Sequence, residues 1–157
     1  MAGELMVFPV QNLAPGSGET FGVNGALAFP LGGAFTLGPA LGFLRADFDS
    51  EDLQRTLTIV RPAARLSWGA PAYDGIFGAS VDLGTWVAVN GSSAAVTAVP
   101  YLRPSFVVQW PRGETRPFLA VDVMAGLGKP DELGKRASEA FGPFGVGLTM
   151  GVAWSAH

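Results

Sequence analysis

The chain has 157 residues, 48% of them hydrophobic and only 15% charged, with a net charge of −3. That length is enough for a single domain spanning residues 1–157. So few charges would leave an ordinary aqueous surface uncoated. The slightly acidic balance and the absence of cysteine exclude a general attraction to nucleic acid, a disulfide framework and thiol chemistry.

No stretch approaches the ~20 consecutive apolar residues of a membrane helix. The 22 glycines and 12 prolines also argue against long helices. A chain that is apolar throughout yet has no long apolar run has dispersed its apolar residues, as alternating strands do.

In chain order, the first expected strand lies around Leu5 to Gln11, with apolar residues on both faces. From Phe21 to Phe29, Phe21, Val23, Leu27 and Phe29 oppose Gly22, Asn24, Ala26 and Ala28. From Phe35 to Phe43, Phe35, Leu37, Pro39, Leu41 and Phe43 oppose Thr36, Gly38, Ala40 and Gly42. Val60 to Trp68 sets Val60, Pro62, Ala64, Leu66 and Trp68 against Arg61, Ala63, Arg65 and Ser67. The same period of two runs through Phe77–Val89, Val96–Trp110, Pro117–Leu127 and Phe144–Trp154. With the first segment this predicts an all-β fold: a closed, antiparallel, up-and-down transmembrane β-barrel of about eight strands.

The connections alternate in character. Pro30–Gly33, Gly69–Ala72 and Pro111–Thr115 are short. Ala14–Glu19, Asp47–Gln54 and Lys129–Ala140 are longer and richer in charge, and Asn90–Ser93 is the short member of that second set. Short turns on one rim and long loops on the other fit an outer-membrane barrel. Alternation alone also suits a soluble lipocalin-like ligand-binding barrel with its apolar face inward. That orientation would show water a face of Gly, Ala, Ser and Thr with almost no Lys or Glu. Trp68, Trp110 and Trp154 all fall on the apolar face near the short-turn rim. Phe29, Phe35 and Tyr73 flank the same turns, as membrane-interface aromatics do.

In strand period, turn asymmetry and aromatic rim, nearly the whole chain resembles the small eight-stranded outer-membrane β-barrels of the OmpX and OmpA-transmembrane-domain kind. The resemblance implies a lipid bilayer as partner, location in a Gram-negative outer membrane after removal of an export signal, and a terminal aromatic for assembly. Trp154 stands at that place, followed by Ser155-Ala156-His157.

On the inner face, Arg61, Asp82, Arg103 and Asp122 are expected near one level with alternating sign. Arg65 either joins them or reaches toward the rim. Interleaved in this way, the charges can be enclosed. They would form a structural plug, making the protein a non-catalytic structural or interaction module with a protein partner at its outer loops or wall. The alternative is a narrow, porin-like conduit for small solutes. Asp47, Asp49, Glu51 and Asp52 make an acidic loop, read as solvated rather than as a cation site. Lys129–Ala140 contains a short helix-compatible run and is read as a mobile loop, or as a segment that folds over the lumen or binds an external partner. The only histidine is His157, so neither Ser–His nor His–metal chemistry has a base or ligand set. No enzyme, cofactor, metal or nucleic-acid partner is expected.

Overall fold

The computed structural model of the protein describes residues 2–10, 20–50, 53–72, 75–90, 93–110, 114–127 and 144–155. The strands are β1 (Ala2–Val10), β2 (Thr20–Gly32), β3 (Phe35–Ser50), β4 (Leu53–Ala72), β5 (Gly75–Asn90), β6 (Ser93–Gln109), β7 (Thr115–Gly126) and β8 (Phe144–Ser155). Every neighbouring pair is antiparallel. All seven strongly alternating segments lie in strands but for Trp110 and Leu127, each one residue past a strand end, because a period of two lets one face be buried while the other is not.

Several strands run further than their alternation. β3 continues through Asp47 to Ser50 and β4 begins at Leu53, with Asp47 opposite Thr56 and Asp49 opposite Gln54. The expected loop from Asp47 to Gln54 is therefore mostly hairpin. Ladder hydrogen bonds belong to the backbone and persist where side-chain hydropathy has stopped signalling a strand. The first short turn also shifts. β2 runs through Pro30 and Leu31, and the chain reverses at Gly33-Ala34, where Gly32 and Gly33 have φ of 128° and 60°. Both angles favour glycine.

The seven strands β2–β8 form an open, strongly curled half-barrel with edges 9 Å apart. This corrects the expected closed barrel of about eight strands, because the sheet built by the alternating segments does not close on itself. Neighbouring strands lie about 4.7–4.9 Å apart, so the gap is two spacings wide and has room for one strand. β1 takes that place. It pairs with β2 from Ala2↔Ala28 to Val10↔Thr20 and with β8 only from Ala2↔Ser155 to Val7↔Met150. The shortest strand, a nine-residue segment, is thus paired along both edges of the half-barrel. The weak alternation of β1 is consistent with that role, since pairing two edges requires backbone groups more than a patterned side-chain face.

Side-chain direction is clear in the central stretches of β2–β8. Val121 is 49% exposed and Leu148 43%, while Asp82 is 1% and Arg103 3% exposed. Large apolar residues cover the outside, among them Leu37, Leu41, Leu66, Val81, Leu83 and Phe106. The inside holds Asn24, Ser80, Ser105 and Thr149 with the arginines and aspartates. This is the reverse of a soluble lipocalin-like barrel, whose apolar side chains face its centre.

Candidate functional site

The inward charges stand on four adjacent strands. β4, β5 and β6 stack in register, so Arg65 lies opposite Asp82, which lies opposite Arg103. The Asp82 carboxylate accepts hydrogen bonds from both arginines. Arg65 Nε donates to Oδ1 at 2.6 Å and Arg65 Nη2 to Oδ2 at 3.0 Å. Arg103 Nη2 donates to the same Oδ2, again at 2.6 Å. All three side chains are buried. A two-point guanidinium–carboxylate contact orients Arg65 as well as neutralising it.

Of the expected level of Arg61, Asp82, Arg103 and Asp122, the structure brings together only Asp82 and Arg103, with Arg65 as the third member. Arg61 lies four residues beyond Arg65 along β4. Its Nη2 donates to Asn24 Oδ1 on β2 at 3.2 Å, and its Nη1 approaches Met124 Sδ on β7 at 3.5 Å. Asp122 is held by hydroxyls, accepting from Ser105 Oγ on β6 and Thr149 Oγ1 on β8. The expected level sets Arg61 beside Asp82, but the stagger between strands puts Arg65 there instead. Alternation marks Asn24, Met124, Ser105 and Thr149 as inward, but only inter-strand register pairs them with a charge.

Gly42 makes the Arg61–Asn24 contact possible. It lies between the two on β3, paired with both, and a Cβ at this position would fall on Asn24 Oδ1 and come within 3.1 Å of Arg61 Nε. Gly42→Ala is expected to lose that hydrogen bond at a cost of about 1.5–3 kcal/mol, the range for a buried bond to a charged group. Urea unfolding of Gly42→Ala alone and combined with Asn24→Ala checks this. The glycine substitution should cost much less once Asn24 is already truncated.

Next to the ion-paired row, the interior is empty rather than packed. The next inward row toward the short turns is Ser67, Ser80 and Ser105, and the one after it is Gly69, Gly78 and Val107. Such small side chains leave a cavity of about 230 Å³, whose lining includes Thr36, Ser67, Ser80, Gln109, Arg116 and Phe118. This corrects the expected function. An open curled sheet with a hollow beside one ion-paired row is not the plugged lumen of a closed outer-membrane barrel. Nor is it a porin-like conduit lined by free charges, because Asp82 engages both Arg65 and Arg103.

On the outer face, Phe29, Phe35, Trp68, Trp110 and Trp154 are all exposed. Phe35 is directly opposite Trp68, and Trp154 is opposite Thr115 at the start of β7. The Trp110 backbone N–H donates to Pro117 O at 2.9 Å, tying the end of β6 to β7. Tyr73, Glu51, Asp52 and the 129–140 segment lie outside the described residues. Among the described residues, no cluster of acidic or histidine side chains is arranged to hold a metal ion. No family model matches the chain, and no curated protein shows significant similarity to it.

Proposed function

We propose that the outer face of the curled sheet is solvated by lipid and that the chain resides in a bacterial outer membrane, like the small barrels its strand pattern resembles. The observation that carries this reading is the radial distribution of side chains. Leucine, valine and phenylalanine are exposed outside, while Arg61, Arg65, Arg103, Asp82 and Asp122 are buried inside. Monomeric soluble proteins rarely expose contiguous apolar surface beyond a few hundred Å². Hydrocarbon accepts such a surface without penalty but requires charges to be enclosed. Strand lengths agree: β2–β8 have 12 to 20 residues each, above the ~9–11 needed for a tilted strand to cross a bilayer. The exposed aromatics near the short turns suit the boundary between acyl chains and headgroups. In this reading the protein is not an enzyme.

Single-tryptophan variants retaining Trp68, Trp110 or Trp154, reconstituted in vesicles of brominated phosphatidylcholine, test it. Bromines near the carbonyl end of the acyl chain should quench all three more strongly than bromines near the terminal methyl. Indifference of all three tryptophans to brominated lipid would refute the proposal, as would a folded protein that stays monomeric in water without detergent.

A further inference from the structure

We propose that the internal cavity is a binding site for a small organic anion, a monocarboxylate carrying a compact hydrocarbon or aromatic body. The inference is independent of what solvates the outer face. A cavity of ~150 Å³ can hold benzene, so about 230 Å³ takes a molecule of benzoate size. The rows that line it explain why it is hollow: Gly69 opposite Gly78, and Ser67 opposite Ser80, place almost no side-chain volume there.

The chemistry of the lining selects the ligand. Among the described lining residues, Arg116 is the only ionic side chain and no carboxylate is present. Arg116 lies on the inward face of β7, two residues from buried Phe118 and four from buried Ala120. A guanidinium at the wall of a half-enclosed space prefers a carboxylate, which it can grip at two points. Thr36, Ser67, Ser80 and Gln109 supply further donors for the remaining lone pairs. Opposite this polar set, Phe118 packs with Ala120, Ala153 and Val107 in a small apolar cluster. With Ile76 it gives the body of the ligand a non-polar wall. Beyond the serine row, the Arg65–Asp82–Arg103 row sets two guanidiniums against one carboxylate, a net positive charge that also favours an anion.

Isothermal titration of the detergent-solubilised full chain with sodium benzoate, and with benzamide as the neutral isostere, tests the assignment. Benzoate should bind saturably with one site per chain, and benzamide at least about tenfold more weakly, as expected for loss of a charge-assisted hydrogen bond. Arg116→Gln should weaken benzoate by about the same factor. Ala28→Leu, which fills the cavity from the opposite wall, should abolish binding of both compounds. Urea midpoints of the variants, measured in the same detergent, identify any that fail to fold. Equal binding of benzoate and benzamide, absence of a saturable site, or unchanged affinity in folded Arg116→Gln or Ala28→Leu would each overturn the proposal.

Discussion

Asp82→Asn should lose about 3–5 kcal/mol of unfolding free energy, the cost of removing one partner from a buried charge pair. The substitution keeps side-chain volume and removes only the charge, so little of the loss is cavity formation. Asp82 accepts three hydrogen bonds from Arg65 and Arg103, all in the buried interior. Without the carboxylate, two guanidiniums would face each other across an amide that can accept from them but cannot neutralise them. A stability of 5–15 kcal/mol is usual for a domain, so the variant is expected to be poorly folded. The control is Asp82→Asn combined with Arg65→Met, which removes one of the orphaned charges and should recover part of the loss. Reversible urea unfolding in one detergent is the measurement. A loss below about 1 kcal/mol, typical of a solvated pair, would show that water reaches the row.

Val121→Arg should have the second largest effect, and its size depends on the solvent outside the sheet. Val121 sits mid-strand on β7, flanked by Phe106 on β6 and Leu148 on β8, and all three are exposed. In a bilayer an arginine on the lipid face near the midplane costs about 2–4 kcal/mol. On a water-facing surface the same change stays within about 0.5 kcal/mol. Folding equilibria in phosphatidylcholine vesicles would separate the two. A cost within 0.5 kcal/mol would leave the apolar exterior in need of another explanation. Neither substitution touches the short β1–β8 seam, so both report on the sheet and not on its closure.

Much of this was legible in the chain itself. Strand parity is local: Arg65 and Ser67 share a face because each strand turns its side chains through half a revolution per residue. Hence the seven alternating segments, the outward tryptophans, and the enclosure of Arg61, Arg65, Asp82, Arg103 and Asp122 could all be read from spacing. Composition supplied the orientation, since the inward set is small or ionic and the outward set is large and apolar. Partnership was not legible. Parity is unchanged when one strand slides two residues past its neighbour, yet that slide replaces one inward side chain with the next at a given level. Only hydrogen-bonded register decides that Asp82 meets Arg65 rather than Arg61, that Arg61 reaches Asn24 past the bare Gly42, and that serine and glycine rows coincide to leave a cavity. Closure also belongs to the tertiary structure. Seven patterned strands curl into an open half-barrel, and whether a nine-residue segment with a weak pattern bridges the two edges is set by the distance between them.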